Sequence, residues 1–167
     1  GKPGNVRRRQ VYNPKESNGG TTSLRGPAAA RMSELGADPR RGRRWRDLVV
    51  DCAHPAPLAR FWATVLQWPP PTWTDEEMAE LANRGVTDSE QDPTVFIESG
   101  NPALPRICFQ QVPEQRRGKN RLHLDVNVDS PADVDVLLGQ GAQVLQRFEG
   151  WVVLADPEGN EFCATWQ

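Results

Sequence analysis

Leu48-Val-Val-Asp-Cys52, followed after two residues by Pro55-Ala-Pro-Leu-Ala-Arg-Phe-Trp-Ala-Thr-Val-Leu66, is a strand that runs into a helix. The first stretch is a short β-branched apolar run of the kind that forms a buried strand. In the second, Pro55 and Pro57 fit a first helical turn, where a missing N–H removes nothing. Leu58, Phe61, Trp62, Val65 and Leu66 then fall at i, i+3, i+4, i+7 and i+8, one face of an amphipathic helix. Trp68-Pro-Pro-Pro71 stops it.

Working outward, the same order recurs. Arg121-Leu-His-Leu-Asp-Val-Asn-Val128 alternates polar and apolar residues, the period of a half-buried strand. Ser130-Pro131-Ala-Asp133 opens a helix with Ser as N-cap and Pro at N1. Val134, Leu137 and Leu138 mark its inner face, and Gly139 and Gly141 end it. Strands are predicted at Thr94–Ile97 and Arg106–Val112 in the first half. In the second they are predicted at Gln143–Glu149, Trp151–Ala155 and Glu161–Trp166. Asp156-Pro-Glu-Gly-Asn160 has the residues of a tight turn. Thr74-Asp-Glu-Glu77 is a capping box before an acidic helix ending at Gly85, a surface insertion or a lid. The strand–helix–strands order, present twice, predicts an α+β fold of two βαβββ modules, residues 45–113 and 119–167.

Alternation then sorts the side chains. Leu48, Val50 and Cys52, then Ile107 and Phe109, then Leu122, Leu124, Val126 and Val128, and finally Phe162, Ala164 and Trp166 belong on the faces covered by helices. Asp47, Val49 and Asp51, Arg106, Cys108 and Gln110, His123, Asp125 and Asn127, and Glu161, Cys163 and Thr165 share the far faces. Those faces either meet solvent or curl around a polar cavity. The recurrence of His, acid, Cys and Gln at matching places in both halves favours the cavity.

Composition bounds the rest. The 167 residues suit one domain with an extension, and apolar residues make up 37%. No run approaches the roughly 18 apolar residues of a membrane-spanning helix. Three Cys and two His are too few for a disulfide framework, a four-Cys zinc site or a three-His centre. The net charge of −2 hides a split: residues 1–46 hold 12 Lys/Arg against 3 acids, and residues 47–167 hold 8 against 19. Residues 1–44 have too few large apolar side chains to offset chain entropy and read as a disordered or loosely attached basic arm. The acidic body argues against nucleic acid as its partner.

Asp47-Leu-Val-Val-Asp-Cys52 with Leu58-Ala-Arg-Phe-Trp62, Pro105-Arg-Ile-Cys-Phe-Gln110, Lys119-Asn-Arg-Leu-His-Leu-Asp125 and Asp156-Pro-Glu-Gly-Asn-Glu-Phe-Cys163 resemble the glyoxalase-like branch of the glyoxalase / bleomycin-resistance / extradiol-dioxygenase (vicinal oxygen chelate) superfamily. The resemblance covers residues 45–167. It implies paired modules forming a curved mixed sheet around a cavity that takes a small organic molecule, in a cytoplasmic protein able to form a homodimer. It implies either isomerase- or lyase-type proton transfer or non-catalytic sequestration of a drug-like molecule. It also implies a divalent-metal site at four strand positions. Here these fall on Asp47, His123, Cys163 and Cys108, or Gln110 with a two-residue slip. Only His123 is of the usual type, so the ligand set is degraded, and a metal would rest on His123 and Asp47. The residues expected to do chemistry are His123, whose imidazole can both accept and donate a proton, and Glu161. Asp47 or Glu161 is the expected partner of His123, because residues two apart on a strand are about 7 Å apart. Asp47, Arg106, Cys108, Gln110, Asp125 and Cys163 are the expected ligand-binding walls.

Overall fold

A computed structural model describes residues 45–166; the arm expected at 1–44 lies outside the described residues. The chain runs β1 (Asp47–Cys52), α1 (Pro55–Leu66), α2 (Asp75–Asn83), a 3-10 turn at Ser89–Gln91, β2 (Thr94–Ile97), β3 (Arg106–Gln111), β4 (Asp125–Asn127), α3 (Pro131–Gly139), β5 (Gln143–Phe148), β6 (Trp151–Ala155) and β7 (Glu161–Thr165). These form two mixed sheets of order β1-β3-β2 and β4-β7-β6-β5. In each sheet the module's first strand lies parallel to its last, β1 on β3 and β4 on β7. That shared pattern is the internal repeat in three dimensions. The first module carries three strands, one fewer than a βαβββ unit, because only β1, β2 and β3 have strand signals in its sequence, and the second carries four.

The helices start where local chemistry places them. Pro lies in the first turn of both α1 and α3. Thr74 accepts the Glu77 amide while the Glu77 side chain accepts the Thr74 amide, which closes the capping box on α2. Ser130 and Asp133 form the same box on α3. Of α2 only Leu81 is buried, so this helix lies on the surface.

The core is built from the faces the alternation assigns. Leu58, Phe61, Trp62 and Val65 of α1 are buried with Val95, Ile97, Ile107, Phe109, Val152, Leu154 and Phe162. Phe162, from the second sheet, packs on two rings of α1: its ring centroid is 6.0 Å from Phe61 and 5.1 Å from Trp62. One aromatic cluster therefore joins both modules. The second joint is polar. The Asp156 carboxylate, 1% exposed, accepts from Trp62 Nε1 at 3.1 Å and from the Glu158 and Asn160 amides at 2.9 Å each. Glu158 accepts from the Ala53 and His54 amides at 2.7 Å each, just ahead of α1. The turn at 156–160 thus clamps the second module onto the entry to α1.

One strand is shorter than its pattern predicts. Alternation over 121–128 predicts a full strand, but only Asp125–Asn127 is one. The Cys163 amide still donates to the Leu124 carbonyl at 2.9 Å. Above that, the Asn120 amide turns to the Glu161 carboxylate at 2.9 Å, so the chain leaves the ladder. As a result Leu122, placed on the core face by the alternation, is 85% exposed.

Candidate functional site

The early departure of the chain from β4 opens a space beside the edge of β1. A cavity of about 250 Å³ lies there, between β1 and residues 120–124. Leu48, Val49, Val50, Ile107, Leu122, Leu124 and Trp62 give it apolar walls, and Asp51, Asn120, His123, Asn160 and Glu161 supply polar groups. This is the composition of a small-molecule site, mostly apolar with a few polar groups that fix orientation. Its volume lies just under the roughly 300–1,000 Å³ usual for ligand pockets, which suits a small occupant.

His123 Nδ1 lies 3.3 Å from Asp125 Oδ1. This corrects the expected pairing with Asp47 or Glu161. The 7 Å spacing holds for extended strand, and His123 sits in the irregular stretch before β4, where the two side chains converge. With its proton on Nδ1 the ring donates to Asp125 and leaves Nε2 free to accept. The other two candidates are occupied. Arg106 donates to Asp47 through Nε at 2.9 Å and through a second guanidinium nitrogen at 3.2 Å, with its guanidinium over the Phe96 ring. Glu161 pairs with Arg116 at 2.7 Å. The Arg116 hydrogen bond first, and the Asn120 amide second, hold the Glu161 carboxyl at about 2, against an ordinary 4.5. Glu161 therefore stays a carboxylate at neutral pH, a fixed charge in the cavity wall.

This pairing makes stability depend on pH in one direction. Because the folded value of Glu161 lies below its ordinary value, the pairing contributes stability above about pH 4.5 and loses it as pH falls toward 2. Urea denaturation of wild type and Glu161→Gln should give a stability difference that is constant near neutrality and shrinks across that window. A difference independent of pH contradicts the assignment.

Of the expected ligand-binding residues, Asp125 and Cys163 are neighbours across the parallel β4–β7 ladder. Asp47, Arg106, Cys108 and Gln110 lie on the β1–β3 ladder and are not among the residues that line the cavity. Cys163 is buried. Burial first, and then its hydrogen bond to Asp125 and the charge there, push its thiol up to about 11, with Lys119 opposing. Burial, then Glu158, push Cys52 up to about 12. Neither is a ready thiolate nucleophile at neutral pH.

A divalent ion shared by the two modules does not fit this arrangement. Asp47 is committed to Arg106, and among the described residues the His, Cys and acidic groups close enough to share an ion are His123, Asp125 and Cys163, all from the second module. Sequence reasoning marked all three but did not join them, because the side-chain convergence of His123 and Asp125 depends on the break in the strand. It missed Arg116 and Asn120, which fix Glu161, and the clamp formed by Asp156 and Glu158. The Asp-Pro-Glu-Gly-Asn turn signalled a tight turn but not what its carboxylates hold.

Two mixed sheets with a cavity at their seam define a glyoxalase-type α+β fold. The glyoxalase-like domain family matches residues 47–165, and the chain belongs to that family. No curated protein matches it. Among solved structures, a glyoxalase/bleomycin resistance protein from Albidiferax ferrireducens is 15% identical, covering 74% of this chain and 98% of its own, with a TM-score of 0.47. A fosfomycin resistance protein from Mesorhizobium loti is 14% identical, covering 76% and 92%, with a TM-score of 0.45. A glyoxalase-related enzyme from Fulvimarina pelagi is 12% identical, covering 75% and 88%, with a TM-score of 0.49. No helix among the described residues is long and apolar enough to cross a membrane.

Proposed function

We propose that this protein binds a small organic molecule in the cavity between β1 and residues 120–124, and that His123, oriented by Asp125, moves a proton on it in isomerase- or lyase-type chemistry. The observation that carries the reading is the placement of His123 on the wall of an otherwise mainly apolar cavity. Leu48, Val50, Ile107 and Leu124 hold the ligand's apolar body. Asn120 and Asn160 offer amide groups to its polar end. His123 Nε2 accepts a proton from an acidic carbon and returns it to a neighbouring one, while the Asp125 carboxylate stabilises the imidazolium formed between the two steps. Sequestration without chemistry uses the same apolar walls and does not need His123 as a base. A cytoplasmic setting accords with three cysteines that form no disulfide.

A thermal-shift screen of small planar aromatics and keto acids tests the binding. Ligands should raise the melting temperature of the wild type and lose that effect in Val49→Trp, which fills the cavity mouth. A flat response across the screen overturns the proposal. For a ligand that binds, solvent-deuterium incorporation should occur with wild type and fall by about 10²-fold or more in His123→Gln with binding retained. Binding without exchange in the wild type assigns the protein to sequestration.

A further inference from the structure

We propose that residues 116–121 form an anion-binding strap at the cavity, and that the cavity's ligand is an ionised carboxylic acid whose carboxylate sits on Lys119 and Arg121. The proposal rests on the cavity being the ligand site and adds the class of molecule it takes.

The charge distribution singles this segment out. Residues 47–167 carry 19 acids and 8 Lys/Arg, and four of those eight, Arg116, Arg117, Lys119 and Arg121, fall within six positions. No acid occurs from Gln115 to Leu124. The same stretch of chain runs into the cavity wall, where Asn120, Leu122, His123 and Leu124 line the space. Positive charge on an otherwise acidic body is therefore concentrated at the cavity rim, where it raises the local concentration of anions.

The four cations have different tasks. Arg116 pairs with Glu161 at 2.7 Å, and the Asn120 amide donates to the same carboxylate at 2.9 Å. One carboxylate thus closes the turn, which Gly118 allows with a φ of 80°. Arg117, Lys119 and Arg121 are exposed, and among the described residues no acid pairs with any of them. Cations held this close repel one another, and a bound anion relieves that repulsion. Lys119 lies near enough to the second sheet for its charge to act on the Cys163 thiol, beside Asp125.

The acids of the cavity wall leave room for one negative charge. Arg116 neutralises Glu161. Asp156 is 1% exposed and takes donors from Trp62 and Asn160. Asp51 stands on β1, the opposite wall, where it disfavours a dianion such as a phosphate monoester. A monoanionic carboxylate on the strap, with its apolar body against Leu48 and Val50, satisfies both walls.

The test compares benzoate, phenylacetate and phenylpyruvate with their primary amides, which keep the shape and lose the charge, by calorimetric titration of the full chain. At least one acid should bind about tenfold or more tighter than its amide, the equivalent of one charge-assisted hydrogen bond. That preference should shrink between about 20 mM and about 200 mM salt. Lys119→Gln/Arg121→Gln should bring acid and amide within about threefold of each other, with the amide's own affinity unchanged. Arg84→Gln/Arg147→Gln, which removes the same charge from the end of α2 and from β5, should keep the preference. Equal binding of acids and amides, or a preference that survives in the strap variant, overturns this proposal and leaves the cavity as the ligand site. Tighter binding of phenyl phosphate than of any of the acids overturns the carboxylate assignment. Acid binding that persists in Val49→Trp separates the strap from the cavity and overturns it too. Binding by none of these probes also overturns it, and the wider thermal-shift screen then shows whether the cavity reading falls with it.

Discussion

Replacing Phe162 by Ala should lower the unfolding free energy by about 4 kcal/mol, within the roughly 3–5 kcal/mol typical of buried Phe→Ala changes. Phe162 is fully buried and is the second sheet's contribution to the ring cluster with Phe61 and Trp62. Truncation removes its own apolar burial and leaves a void that α1 cannot collapse into, because Trp62 is held by its indole N–H on Asp156. Its edge-on packing against Phe61 and its tilted packing against Trp62 are each worth about 0.5–1.5 kcal/mol beyond area. Urea denaturation followed by far-ultraviolet circular dichroism measures the change. A loss under about 1.5 kcal/mol would mean that the modules do not depend on this cluster. Because Trp62 also lines the cavity, the same variant should bind the cavity ligand more weakly even where it stays folded.

Asp156→Ala should lower stability by about 3 kcal/mol. Hydrogen bonds to a charged group are worth about 1.5–3 kcal/mol each, and those sharing one carboxylate do not add fully. Asp156 accepts from Trp62 Nε1, from the Glu158 and Asn160 amides and from Asn160 Nδ2. Without it a buried indole donor loses its partner, and the turn that presents Glu158 to the Ala53 and His54 amides loses its internal support. Trp62→Phe removes one of these bonds and keeps the turn, so it should lose about half as much or less. Equal losses in the two variants would show that the turn contributes nothing beyond the indole bond.

Both effects arise at the seam between the modules, and the seam is where the sequence was least legible. The helices could be read because their signals are local: Pro55, Thr74 with Glu77, and Ser130 with Asp133 act within one turn of chain. The strand faces could be read because alternation is a property of consecutive residues. Leu122 broke that rule because Glu161, about forty residues away, takes the Asn120 amide and pulls the chain off the ladder. The partner of His123 was misassigned for the same reason, since the spacing argument assumed extended chain at a place where a distant carboxylate prevents it. Arg116 gave no signal in a polar loop, and Glu158 looked like one more turn residue. Side chains that bridge distant segments leave no periodic trace, and the cavity is built from several of them.

The proposed ligand site is the space between β1 and residues 120–124. The most direct test is the nuclear magnetic resonance spectrum of isotopically labelled protein titrated with the strongest ligand from the thermal-shift screen. Saturable shifts are expected at Leu48, Val50, Leu122 and the His123 ring, with the edge strand β5 unchanged. Saturable shifts confined to β5, or none at the cavity residues while the ligand demonstrably binds, would contradict it.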